Sequence, residues 1–91
     1  MIFTDGYWMV ADSKEELMKF SRVMGMSAHW FRDKGEIGYF EIFGNMRKLI
    51  LRTDGVKHIP GPELIIKAKE MMSREKEKKV PEGEKEITSL R

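Results

Sequence analysis

The stretch from Val10 to Phe31 constrains this chain more than any other, because it spells a strand end, a helix start, a helix stop and an aromatic pair in that order. Asp12 and Ser13 are both short polar residues whose side-chain oxygens can accept from the free N–H groups of a first helical turn. Ser13 is followed three residues later by Glu16, the spacing of a capping box. Glu15 and Glu16 put negative charge at the positive end of the helix dipole. Leu17, Phe20, Val23 and Met24 then recur at intervals of three and four, which is one helix face, while Lys14, Lys19 and Arg22 fall on the other. Gly25 supplies the left-handed stop. The spacing predicts a helix over 14–24 with Leu17, Phe20 and Met24 turned inward.

The flanks supply what this helix packs against. Met1 to Thr4 and Tyr7 to Val10 are β-prone runs separated by the turn signal Asp5-Gly6, which fits a hairpin or two strands with a longer connection. Ser27 can cap a second short helix over 28–33, ended by Lys34-Gly35. Trp30 and Phe31 are adjacent, so one fills the core and the other covers its edge. Glu36 to Phe43 reads as a strand, with Ile37, Tyr39, Glu41 and Phe43 on one face and Gly38, Phe40 and Ile42 on the other. Both faces are apolar enough for a central strand. Residues 44–55 admit two readings: Gly44-Asn45 as a hairpin turn with Met46 to Arg52 returning as a strand, or Asn45 as a cap with Met46, Leu49, Ile50 and Thr53 on one helix face. Pro60-Gly61-Pro62 breaks the chain, and Pro62 suits a first helical position. Leu64, Ile65, Ala68, Met71 and Met72 then form one apolar stripe.

These signals predict a single domain over 1–79 and a disordered tail over 80–91. The expected class is α/β: a small three-stranded sheet packed by helices at about 14–24, 28–33, 46–53 and 62–79. The alternative is an α+β fold with a β-hairpin over 37–52.

The first part of the chain resembles a small domain-of-unknown-function family carried by bacteria and their phages. In that family a strand ending His-Leu-Val-(Ser/Ala)-Asp leads into Glu-Glu-Leu-His-x-Phe-Ala, a Leu-Gly stop and Trp-Phe. Here the corresponding residues are Met9-Val10-Ala11-Asp12, Glu15-Glu16-Leu17, Phe20, Met24-Gly25-Met26 and Trp30-Phe31. The family continues with His-Tyr-Asp-Val, an Arg-containing helix and a Gly-Ala-Val ending, matched here by Tyr39, Glu41-Ile42, Arg47 and Gly55-Val56. The resemblance covers roughly residues 1–58 and implies a helix over 45–54. The family histidines and aspartate fall on Trp8, Gly38 and Phe40, so the groups most able to transfer a proton or bind a metal are replaced here.

Composition narrows the function. The chain has no cysteine, so thiolate chemistry and cysteine metal sites are excluded. No apolar run reaches the ~18 residues of a transmembrane span, and the expected location is cytoplasmic with no membrane partner. Net charge is +2 but uneven: residues 1–43 carry −2, 44–79 carry +5 and 80–91 carry −1. The basic set Arg47, Lys48, Arg52, Lys57, Lys67 and Lys69 is a candidate phosphate-contacting surface, with Tyr39 or Phe43 as stacking partners. The stripe Leu64, Ile65, Ala68, Met71 and Met72 either covers the domain's own sheet or binds a protein partner or a second copy. Asp5, Asp12 and Glu41 would hold a divalent cation if they converged at strand ends, though their spacing matches no metal motif. His29 is expected on the exposed side of a short helix. No phosphate-cradling glycine loop or nucleophile elbow occurs. The sequence therefore favours a non-enzymatic accessory protein of bacterial or phage type that binds a protein or itself, without a cofactor. A nucleic-acid-binding protein is the alternative, and a metal-dependent hydrolase a third reading.

Overall fold

A computed structural model describes the backbone of residues 1–90 and the side chains of residues 1–76. The chain opens with β1 (Ile2–Thr4) and β2 (Trp8–Ala11), which pair antiparallel as a hairpin. Its turn follows from the residues between them. Asp5 Oδ1 accepts from the backbone N–H groups of Tyr7 and Trp8, each at 2.9 Å, and Gly6 takes a φ of 101° that L side chains rarely adopt. The Thr4 hydroxyl donates to the Trp8 carbonyl at 2.7 Å and accepts from the Gly6 N–H at 3.0 Å. Thr4 is fully buried. Thr4→Val keeps the side-chain shape but leaves both backbone groups without this partner. The expected cost is about 1–3 kcal/mol, read from the urea midpoint.

Helix α1 (Lys14–Val23) has the ends its sequence dictates. Ser13 Oγ accepts from the Glu16 N–H at 3.1 Å, and Gly25 ends the helix at a φ of 86°. Leu17 is fully buried, with Phe20 and Met24 half-buried against the same cluster, so these three face inward as expected, whereas Val23, at the rim of that face in the last turn, points to solvent. The Met1 ammonium sits against the Glu16 carboxylate and 3.4 Å from Asp12. The hydrogen bond it donates to Glu16 holds its pKa above the usual 8.0.

Residues 28–33 are not one helix. Ser27 caps a single 3-10 turn, Ala28–Trp30, after which Phe31–Asp33 runs as β3, paired antiparallel with β4 (Gly38–Glu41). The reason is a pairing that no short window contains: Phe31 lies opposite Phe40, their rings edge-on with centroids 5.5 Å apart. Next comes α2 (Gly44–Leu51), so the helical reading of this segment holds and a hairpin over 37–52 does not form. Asn45 is inside the helix rather than its cap; that position falls to Phe43, whose carbonyl accepts from the Arg47 N–H at 3.1 Å. The link after α2 contains β5 (Val56–His58), parallel to β1 with Ile2 opposite Val56. Helix α3 (Gly61–Leu90) follows. The tail expected over 80–91 lies outside the residues whose side chains are described.

The result is a five-stranded mixed sheet of order β3-β4-β2-β1-β5 with helices on both faces, an α+β arrangement with two more strands than the sequence suggests. Ile2, Met9, Ala11 and Phe40 pack toward α1 and α2, around Leu17, Met26 and Ile50. Phe3, Val10 and Tyr39 alternate onto the other face, under Leu64 and Ala68 of α3. Past the strand ends, Met71 and Met72 join the first cluster, and an Arg74 N–H donates to the Asp12 carbonyl at 2.6 Å. Gly38 has no room for a side chain there: a Cβ would lie 2.6 Å from Phe31 Cζ and 2.7 Å from Met72 Sδ. No helix among the described residues is long and apolar enough to cross a membrane.

Candidate interaction surface

The antiparallel pairings bring three loops to one end of the sheet. Tyr7 precedes β2, Trp30 precedes β3 and Phe43 follows β4, and in an antiparallel array all three positions lie at the same edge. The Ile42 N–H donates to the Tyr7 carbonyl at 2.8 Å, which locks the two loops together. The side chains at this end are large, aromatic and uncovered: Tyr7 is 67% exposed, Phe43 65% and Trp30 42%. The Trp30 and Phe43 rings are tilted at 41° with centroids 6.3 Å apart.

Polar groups frame these rings. Arg32 Nε donates to Glu41 Oε1 at 3.0 Å, with both side chains about half exposed. Arg47 donates to the Gly6 carbonyl and lies over the Tyr7 ring at 5.2 Å. His29, Trp30, Arg32, Glu41 and Phe43 enclose an open cavity of about 130 Å³. Each backbone position belongs to a strand end, a helix cap or a hydrogen-bonded turn, so the rings are presented by a fixed frame. Chemically the surface offers apolar stacking area, one neutralised ion pair and a cation already engaged with a carbonyl and a ring.

The residues singled out from sequence are distributed otherwise. Leu64, Ala68 and Met71 are fully buried and Met72 is nearly so, which makes the stripe part of the domain's own interior; Ile65 alone stays partly outside. The need to cover Phe3, Val10 and Tyr39 uses that face of the helix. The basic set is not one surface. Arg47 and Lys48 stand on α2 and Arg52 is its C-cap, whereas Lys67 and Lys69 stand on α3 across the sheet, and Lys57 is on β5. Lys67 lies 4.8 Å from the Phe3 ring centroid and 3.9 Å from Glu70. Of the two stacking candidates, Tyr39 is buried and stacked on Trp8 at 3.8 Å, while Phe43 is open.

The three carboxylates do not converge either. Asp12 follows the last residue of β2 while Glu41 pairs with its first, Trp8, so roughly 13 Å of strand separates them at about 3.3 Å per residue. Asp5 is committed to its turn. Among the described residues no three histidine, aspartate or glutamate side chains are grouped to hold a metal ion.

Tyr7 and Trp30 were not distinguishable from core aromatics by pattern. The available signal was position: both sit beside turn residues, Asp5-Gly6 and Ser27, where a side chain has no partner strand to cover it. Comparison with family models, curated proteins and solved structures returns no match for this chain.

Proposed function

We propose that this chain is a small accessory protein of bacterial or phage type that works by binding another polypeptide through the aromatic end of its sheet. The observation that supports this reading best is the exposure of Tyr7, Trp30 and Phe43 on one rigid edge beside two arginines. Tyrosine, tryptophan and arginine dominate the energetics of protein interfaces, the two aromatics because they bury much area at little entropic cost. An open aromatic cluster on a small domain otherwise exposes apolar surface to water for no gain in stability. The resemblance of residues 1–58 to a bacterial and phage family supports the biological setting.

A nucleic-acid surface is less well supported. Stacking needs cations free for phosphates, yet Arg32 is paired with Glu41 and Arg47 is held by Gly6 and Tyr7. The test is a photo-crosslinking benzophenone amino acid in place of Phe43, with the same group in place of Val23, 77% exposed on α1, as the control. Position 43 is expected to give nuclease-resistant protein adducts in host extract, and position 23 few. Nuclease-sensitive adducts, or equal yields at the two positions, would overturn the reading.

A further inference from the structure

The aromatic end carries a property that selects among polypeptide partners, an inference that rests on the docking role just proposed. A surface that binds its own copy about a two-fold axis must be self-complementary: whatever projects on one copy must find a recess on the other, and each charge must meet its opposite. The recess and the Arg32–Glu41 pair meet both conditions, while Arg47 is engaged by its own chain's Gly6 carbonyl and Tyr7 ring. Phe43 projects, 65% exposed, and beside it lies the cavity of about 130 Å³. A cavity of about 150 Å³ takes a benzene ring, so the recess is close to the size of the ring next to it. Arg32 and Glu41 stand together on the rim, so a two-fold can set each arginine against the other copy's glutamate. A basic or acidic face of the same shape would repel itself. We infer that the occupant of this surface is a second copy of the chain, the Phe43 ring of each seated between Trp30 and the Arg32–Glu41 pair of the other.

The open sheet edges do not offer the same route. Two β3 strands paired antiparallel about their centres would place Arg32 against Arg32, and two β5 strands would place Lys57 against Lys57. Like charges directly opposite disfavour the pairing. The apolar and ionic complementarity instead sits at the strand ends, where the loops project.

The dimer is of the small, transient kind. Sedimentation or light scattering over about 5–500 μM, a range suited to such an interface, is expected to show the parent chain passing from monomer to dimer. Phe43→Ala is expected to weaken association at least about tenfold, as truncation of an interface anchor does; its ring lies outside both core clusters, so circular dichroism stays unchanged. The decisive arm uses charge. Arg32→Glu leaves two carboxylates at positions 32 and 41 and Glu41→Arg leaves two guanidiniums there, so like charges face each other across the two-fold and each variant alone is expected to stay monomeric. Their equimolar mixture restores both cross-pairs and is expected to dimerise. A merely structural role for the Arg32–Glu41 pair would not produce rescue on mixing, because neither chain regains its internal pair.

Self-association of both single variants as strong as the parent's, or a mixture that stays monomeric while the parent dimerises, overturns the inference. A parent that remains monomeric throughout the range overturns it too. In that case benzophenone adducts from position 43 to a different protein leave the docking role standing, and the absence of any protein adduct removes both.

Discussion

Phe40→Ala is expected to be among the most destabilising single substitutions in this chain at 25 °C. Phe40 is fully buried at the crossing of three strands: it lies opposite Met9 on β2 and opposite Phe31 on β3. Its ring meets Phe31 edge-on, and the same cluster reaches Leu17 on α1, Ile50 on α2 and Met71 on α3. Truncation therefore opens a void inside that cluster. Loss of a buried phenylalanine ring costs about 3–5 kcal/mol, the spread reflecting how far the surroundings collapse. A domain of this length has roughly 5–14 kcal/mol in total, so one substitution removes a large share. Urea denaturation followed by tryptophan fluorescence reads the loss directly. The contrast is Phe43→Ala, the same chemistry at a 65% exposed position, for which a change within about 0.5 kcal/mol is expected. Equal losses at the two positions would contradict the assignment of one ring to the core and the other to the surface.

The elements legible in the sequence are those whose causes are local. Ser13, Glu16 and Gly25 act on their own turn of backbone, so α1 and its inward face follow from a short window. The face alternation of β4 was legible for a similar reason: Tyr39 and Phe40 each needed cover, which only a strand flanked on both sides supplies. Strands β3 and β5 were not legible. Each is three residues long, and each exists because a remote strand presents a ladder, β4 to Phe31–Asp33 and β1 to Val56–His58. In Phe31–Asp33 the one apolar residue has no alternation to display, and a capping serine just upstream mimics a helix start. The interaction surface was hidden for a related reason. Tyr7, Trp30 and Phe43 belong to three separate loops, and only the antiparallel order of β2, β4 and β3 assembles them.

The stripe on α3 shows how a pattern can be read correctly and still leave its use open, and Ala68→Asp decides that use. An apolar stripe at helical spacing looks the same whether it covers the chain's own sheet or awaits a partner. In the folded chain Ala68 is fully buried, with Leu64 beside it and Phe3, Val10 and Tyr39 beneath. A carboxylate there is surrounded by apolar side chains that offer it no hydrogen bond. An uncompensated buried charge costs about 3 kcal/mol or more, enough to lift the helix from the sheet or unfold the domain. Ile66→Asp, about 200° around the helix and 56% exposed, is the matched control, with an expected change within about 0.5 kcal/mol. The deficit also has a definite pH sign. Burial raises the pKa of the new carboxyl above its unfolded value, so the penalty is full at neutral pH and shrinks as the pH falls toward about 4, where the group folds neutral. A surface carboxylate would show no such recovery. Thermal or urea melts at a series of pH values, for both variants against the parent, therefore distinguish the two uses of the stripe. An Ala68→Asp chain as stable as the parent at neutral pH would mean that α3 stands away from the sheet and that Phe3, Val10 and Tyr39 are covered by something else.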